Sequence, residues 1–144
     1  MKKIYTIGYQ GRTIDDFLNL LKKYDIDHLV DVRSYPTSKM QDFSKKNLKD
    51  TLFKRSVMYK HLPGLGGLGD EDYKETMLSD RWKSSYKKLK NLAGDGTTAM
   101  MCLEKDPSQC HRRFISDRLE EEGWEVVHIG KGGSWKKRSL EDFK

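Results

Sequence analysis

The feature that most constrains this sequence is an alternation of short apolar segments with segments of helical periodicity. Apolar runs of the length of buried strands occur at 4–7, 28–32, 57–62, 97–103 and 124–129. After the first run, apolar residues recur at helical spacing, at Ile14, Phe17, Leu18 and Leu21. Strands that alternate with helices form mostly parallel sheets covered on both faces. The sequence therefore predicts an α/β three-layer sandwich with a mostly parallel five-stranded sheet.

Capping and turn residues mark the ends of the predicted helices. Thr13 and Asp16 have the spacing of a capping box before the first helix. A second helix is expected to follow Ser44. A last helix is expected over 107–122, because Gly123 then stops it.

One core and one domain are expected for a chain of this length, 144 residues. The segment 64–96 is predicted to be a helical insertion between the third and fourth strands, with helices around 73–77 and 82–92. Its first residues, 64–69, satisfy G-x-G-x-x-G. They follow the third strand, whereas a dinucleotide site requires the first. We interpret these glycines as a flexible hinge that lets the insertion close as a lid.

Charge and apolar content limit the classes of partner. The chain has 28 basic and 22 acidic side chains, a net charge of +6. No apolar run approaches the roughly 20 residues of a membrane span, and the first residues lack a secretory signal. We therefore expect a cytoplasmic protein with no membrane partner. The basic C-terminal tail at 130–144 has Trp135 among its lysines, a combination that suits nucleic acid.

Most reactive side chains follow the predicted strands. Parallel sheets bind ligands at the carboxyl ends of their strands, which meet at one edge, so we expect the site there. The opposite edge offers little chemistry. The side chains expected at the carboxyl edge are Tyr9, Arg12, Asp31, Arg33, His61, Cys102 and Glu104. As structural alternatives, Asp31 and Arg33 could pair with neighbouring helices, Cys102 could be a core residue, and His128 a satisfied buried histidine.

Cys110 is the preferred nucleophile because it lies near the start of the last helix. Backbone amides and the helix dipole stabilise a thiolate there, and the same position suits a phosphate. We therefore predict a thiol-dependent transferase or hydrolase that acts on an anionic, phosphate-bearing substrate, a nucleotide or nucleic acid. Its thiolate would be Cys110, its anion contacts Arg112 and Arg33, its proton carriers Glu104, His111 and His61, and its other binding residues Arg12, Tyr9, Asp31 and Cys102.

Two other functional classes stay open. One is a non-catalytic nucleic-acid-binding module that uses Arg12, Arg33, Lys39 and the basic tail. The other is a redox or metal sensor, because a disulfide between Cys102 and Cys110 is geometrically possible. The spacing matches no short zinc pattern, so we assign no metal and no cofactor. The oligomeric state stays open.

Several motifs resemble those of the family catalogued as domain of unknown function 488. They are TIGY at 6–9, DVRSYP at 31–36, HLP at 61–63, and the stretch from Cys102-Leu103-Glu104 to Cys110-His111-Arg112. The resemblance extends from residue 3 to residue 129 and implies an α/β three-layer sandwich. The family's name assigns no activity, so the resemblance implies no catalytic role for any residue.

Overall fold

The structure is a computed structural model that describes residues 2–36, 38–66, 72–103, 111–130 and 133–136. Its strands are β1 (Lys3–Gly8), β2 (His28–Asp31), β3 (Met58–His61), β4 (Thr98–Cys102), β5 (Glu125–Gly130) and β6 (Gly133–Lys136). Its α-helices are α1 (Ile14–Lys23), α2 (Lys45–Lys54), α3 (Tyr73–Thr76), α4 (Asp80–Asp95) and α5 (Arg112–Glu121). None of the helices in these ranges combines the length and the apolar character needed to cross a membrane.

The sheet has the order β3-β2-β4-β1-β5-β6. The first five strands in this order pair in parallel, and β6 pairs antiparallel with β5. The prediction of an α/β fold with a mostly parallel sheet is therefore confirmed. The sixth strand is an addition, since it lies within the segment 130–144 that the sequence analysis treated as a tail.

Helices cover both faces of the sheet, each with its own apolar core. On one face α1 and α2 pack against the strands through Phe17, Leu21, Leu48 and Leu52. On the other face α3, α4 and α5 pack through residues that include Trp82, Leu89, Ile115 and Leu119. Every residue of β4 is buried, because this strand lies inside the sheet and carries a helical layer on each side.

The start of α1 and the end of α5 agree with the sequence, whereas α5 begins at Arg112 and not at residue 107. The Thr13 hydroxyl accepts a hydrogen bond from the Asp16 amide at 3.1 Å and so caps α1. The last helix ends at Glu121, and Gly123 follows with φ of 89°. A positive φ costs glycine no steric clash, which explains the stop at that position.

Both helices predicted within 64–96 are present, as α3 and α4. The longer of them, α4, forms part of the core, because Trp82 and Leu89 are fully buried. A closing motion of this segment would have to separate those contacts. The lid stays a prediction.

Close packing explains two glycines that the sequence analysis assigned to a hinge. A Cβ on Gly66 would lie 2.5 Å from the Ser34 amide nitrogen, and one on Gly64 would lie 2.3 Å from the Ser85 hydroxyl. Both glycines are therefore needed where the segment after β3 passes between the loop after β2 and helix α4. The rest of the glycine-rich stretch, 67–70, lies outside the described residues.

Gly94 in α4 is different, and we expect Gly94→Ala to stabilise the protein by about 0.5–1 kcal/mol. A Cβ there would meet no atom within 4 Å. Alanine also loses less backbone entropy than glycine when the helix forms. Denaturant unfolding of the two proteins would measure the gain. A lower midpoint for the variant would contradict this expectation.

Candidate functional site

The neighbouring strands β1 and β4 mark the point of the sheet at which the order of the strands reverses. From β1 the chain proceeds through α1 to β2 and through α2 to β3, always on one face. From β3 it returns through α4 to β4 and continues through α5 to β5, on the other face. The loops after β1 and β4 therefore leave toward opposite faces. Such a switch point opens a crevice at the carboxyl edge, where open α/β sheets bind ligands.

One wall of this crevice is the loop after β1. Two backbone hydrogen bonds keep it beside β4: Tyr9 donates to the Cys102 carbonyl at 3.2 Å, and Gln10 donates to the Leu103 carbonyl at 2.8 Å. The chain then turns at Gly11, whose φ is 72°, and the Arg12 amide donates back to the Tyr9 carbonyl. The turn therefore fixes Arg12 next to the central strand.

Arg12 is 7 % exposed although it carries a charge. Its Nε donates to the Gly8 carbonyl at 2.8 Å, whereas its Nη2 is buried and has no hydrogen-bond partner within the described part of the chain. Burial lowers the pKa of Arg12, and the carboxylate of Asp16 opposes that shift. A buried donor without an acceptor is costly, so an anion at this point would be stabilised.

Asp31 and Arg33 form a buried ion pair at the end of β2. One oxygen of Asp31, which is fully buried, accepts hydrogen bonds from the amide and Nε of Arg33 at 3.0 and 2.8 Å. The other oxygen accepts from Nη2 of Arg33 at 2.7 Å and from the Tyr59 hydroxyl at 2.5 Å. Nη1 of Arg33 donates to the Tyr9 hydroxyl at 3.2 Å. The two residues thus pair with each other, whereas the structural alternative had them pair with neighbouring helices. A ligand contact by Arg33 stays a prediction.

Tyr59 is a member of this cluster that the sequence analysis missed. Burial and the negative charge of Asp31 raise the pKa of Tyr59, so its hydroxyl stays a donor. A signal was available, because Tyr59 and His61 are two residues apart on one strand and so share a face of the sheet. In the parallel register of β2 and β3, His61 lies beside Asp31.

Two histidines predicted as proton carriers contact the same loop. His61 Nε2 lies 2.7 Å from the Arg33 carbonyl, and His111 Nε2 lies 3.0 Å from the Val32 carbonyl. A carbonyl only accepts hydrogen bonds, so each Nε2 carries a proton, and Nδ1 is the basic nitrogen of the neutral ring. The structure thus brings the end of β3 and the start of α5 together around one segment.

Arg112 is the first residue of α5 and is 1 % exposed. His111, which precedes it, has its ring 5.3 Å from the ring of Tyr73. The Tyr73 hydroxyl in turn donates to the Leu65 carbonyl at 2.7 Å. The residue before α5 therefore packs against Tyr73 of α3, and Tyr73 is in turn hydrogen-bonded to the segment after β3.

The two cysteines differ in what the structure describes. Cys102 ends β4, is buried and is disulfide-bonded. The sequence has one other cysteine, Cys110, which lies outside the described residues, as does Glu104. The predicted roles of Cys110 and Glu104 therefore stay predictions.

A cleft of about 670 Å³ opens beside the Arg12 loop. Its lining includes Met40 and Leu103, both exposed apolar side chains. No signal in the sequence predicts this cleft, because its walls come from three loops that are distant in the chain, those after β1, β2 and β4. The residues that line it are Tyr9, Ser38, Lys39, Met40 and Leu103.

Two further groups bear on the chemistry. His128 is buried in β5, and its Nδ1 lies 2.6 Å from the Thr6 hydroxyl on β1, so it is the satisfied buried histidine of the structural alternative. Among the described residues, no group of three or more histidine, cysteine, aspartate or glutamate side chains could hold a metal ion.

A family model described as "Domain of unknown function DUF488" matches residues 13–119. The chain belongs to the DUF488 family. In this DUF488 protein the match extends from the cap of α1 into α5, so it includes the Asp31–Arg33 pair, His61 and His111. Strands β1 and β5 lie outside it. No curated protein and no solved structure matches the chain.

Proposed function

We propose that this protein binds a phosphate-bearing small molecule in the crevice between the ends of β1 and β4. The observation that carries the proposal is the buried guanidinium of Arg12, whose Nη2 has no partner within the described part of the chain. It stands at the topological switch point, where α/β sheets take their ligands. Arg112, also buried, supplies a second positive charge at the same edge. A phosphate oxygen would accept the hydrogen bond that Arg12 lacks.

The cleft beside the Arg12 loop would take the rest of the substrate. Met40 and Leu103 give it an apolar surface, and Lys39 adds a positive charge at its rim. Its volume of about 670 Å³ is in the range of small-molecule sites. A nucleotide combines a flat apolar base with a phosphate, so it matches both parts of the site. Met40 and Leu103 would then contact the base.

The chemistry we propose is transfer or hydrolysis through a cysteine thiolate. The Cys110 sulfur would form a bond to the electrophilic centre of the substrate, while the bond to the leaving oxygen breaks. A protonated histidine, His61 or His111, would donate the proton that the leaving oxygen needs. Water or a second acceptor would then release the group from sulfur. This reaction requires a reduced thiol, so any disulfide that involves Cys110 must first be reduced.

Substitution of Arg12 tests the binding step. We expect Arg12→Gln to weaken the binding of inorganic phosphate and of a nucleoside monophosphate at least tenfold, because a charge-assisted hydrogen bond contributes about 1.5–3 kcal/mol. Isothermal titration calorimetry or NMR shift titration would measure both affinities. Arg12→Lys, which keeps the charge, should lose less than Arg12→Gln.

Arg55→Gln is the matched control for this test, because Arg55 is exposed at the end of α2, away from the crevice. It removes the same charge and should leave both affinities unchanged within twofold. Equal affinities of wild type and Arg12→Gln would overturn the proposed site.

Alkylation of the reduced protein tests the thiolate. We expect iodoacetamide to modify Cys110 faster than Cys102 at neutral pH, because Cys102 is buried and a helix start favours the thiolate. Inorganic phosphate should slow the reaction at Cys110. Peptide mass spectrometry would follow each site, with Cys110→Ser and Cys102→Ser as assignment controls. A slower reaction at Cys110 would contradict the nucleophile assignment.

A redox sensor is the second candidate function, and the disulfide at Cys102 is the observation that favours it. The sensor and the enzyme differ in what they need besides reduction of the disulfide. A sensor needs only the change between thiol and disulfide, whereas the proposed enzyme also needs a substrate anion beside the thiol. Phosphate protection of Cys110 is therefore expected for the enzyme and not for the sensor.

A further inference from the structure

A second cleft, of about 910 Å³, lies at the opposite edge of the sheet, where the strands begin. We call it the amino-edge cleft. Little chemistry is expected at this edge from the sequence. The residues that meet there are far apart in the chain. Its lining residues are Lys2, Lys3, Tyr5, Asp27, Lys87, Lys90, Asn91, Ala93, Gly94, Asp95, Gly96, Thr97 and Trp124.

Lysines stand on two sides of the amino-edge cleft. Lys2 and Lys3 come from the start of β1, and Lys87 and Lys90 come from α4. Lys90 pairs with Glu122 at 3.0 Å. The other three form no ion pair with a carboxylate in the described ranges, although Glu125 attracts Lys3 electrostatically. Three ammonium groups are thus available to an anion that enters from solvent.

Aromatic rings hold two of these lysines at the cleft. The ammonium of Lys2 lies 5.5 Å from the centroid of the Trp124 ring, and that of Lys3 lies 5.1 Å from the centroid of the Tyr5 ring. A hydrogen bond with Tyr5 raises the pKa of Lys3, so this group stays charged at neutral pH. The cation–π contacts restrain both side chains without neutralising their charge.

The two carboxylates of the cleft are occupied by partners of their own. Asp27 accepts a hydrogen bond from the Thr97 amide at 2.9 Å, which joins the starts of β2 and β4. Asp95 lies 3.0 Å from Nε2 of His28. With Lys90 paired to Glu122, the three other lysines against these two acids still leave the lining with an excess of positive charge.

We propose that the amino-edge cleft binds the phosphodiester backbone of a nucleic acid. Every cation among its described lining residues is a lysine, a point charge that suits phosphate oxygens and requires no planar partner. Backbone contacts of this kind position a nucleic acid without reading its sequence. The net charge of +6 supports association with a polyanion.

This site is separate from the crevice at the carboxyl edge. The two lie at opposite ends of β1, whose six residues span about 17 Å at the usual rise per residue. A nucleic acid at the amino edge and a small molecule at the carboxyl edge can therefore be bound together. It also differs from the nucleic-acid surface expected from the sequence, which used Arg12, Arg33, Lys39 and the tail.

Fluorescence anisotropy with labelled single-stranded and double-stranded oligonucleotides tests the proposal. We expect the double variant Lys3→Glu/Lys87→Glu to lose at least tenfold in affinity at low salt. For this variant, the slope of log K against log salt concentration should become shallower by about 1.4–1.8, because two lysines no longer displace counterions. The variant Lys2→Gln/Lys87→Gln should show the same change in slope and is the fallback if the first variant unfolds.

The matched control is Lys45→Glu/Lys49→Glu, which makes the same charge change on exposed positions of α2. It should keep the affinity within twofold and leave the salt slope unchanged. Equal losses in the two double variants would overturn the proposal, since net charge alone would then explain binding. Absence of binding at 50 mM salt, or displacement of the oligonucleotide by equimolar inorganic triphosphate, would overturn it as well.

Discussion

Asp31→Ala is expected to lower the free energy of unfolding by about 3–5 kcal/mol. The substitution removes the acceptor of three hydrogen bonds from Arg33 and of one from Tyr59. Arg33 would then keep its charge in a place that is almost closed to water, and its solvation cost would no longer be offset. The measurement is urea unfolding followed by circular dichroism.

Substitution of the partner, Arg33, distinguishes the effect of an unpaired charge from the effect of lost contacts. The double variant Asp31→Ala/Arg33→Ala should be more stable than the sum of the two single losses predicts, because neither charge is then left alone. Asp50→Ala on the exposed face of α2 is the control and should change stability little. If Asp31→Ala behaved like Asp50→Ala, the pair would not hold the end of β2.

The second large effect is expected for Gly66→Ala, which should lower the free energy of unfolding by about 3 kcal/mol. The new Cβ would lie 2.3 Å from the hydroxyl, 2.5 Å from the amide nitrogen and 2.7 Å from the Cα of Ser34. Two of these atoms belong to the backbone, so rotation of a side chain cannot relieve the clash. The loop after β2, which carries Arg33 and receives His61 and His111, would have to move.

Two comparisons test whether contact with the Ser34 backbone causes the loss of stability in Gly66→Ala. Ser34→Ala in the Gly66→Ala protein removes only the hydroxyl and should recover little stability. Gly94→Ala makes the same chemical change at an open helical position, where stability should rise. A Gly66→Ala protein as stable as wild type would show that the loop can yield by several tenths of an ångström without cost. Thermal unfolding of the wild-type protein and of the three variants suffices for both comparisons.

The elements of this fold were predictable because their signals are local. Thr13 and Asp16 mark the start of α1 through a contact three residues apart, and the five apolar runs mark the parallel strands. The carboxyl edge also followed from the sequence, since a parallel sheet requires strand ends to meet. For that reason His61 and Arg33 could be expected near one another before their contact was known.

Features that depend on which elements become neighbours were not predictable. The tight approach of Gly66 to Ser34 joins two loops, and the glycine pattern alone favoured a hinge. β6 was missed because its four residues, Gly-Ser-Trp-Lys, have no apolar alternation and lie in a basic segment. The amino-edge cleft likewise joins the start of β1 to residues of α4 that lie more than 80 positions later in the chain.

The position of β4 has a consequence for how the protein is made. β1 and β2 do not touch each other along their ladders; each pairs with β4, which lies between them. A nascent chain that ends before Thr98 therefore contains the first three strands without the one that joins them. The sheet can assemble only after most of the chain has left the ribosome, and a fragment cut before β4 cannot retain this fold.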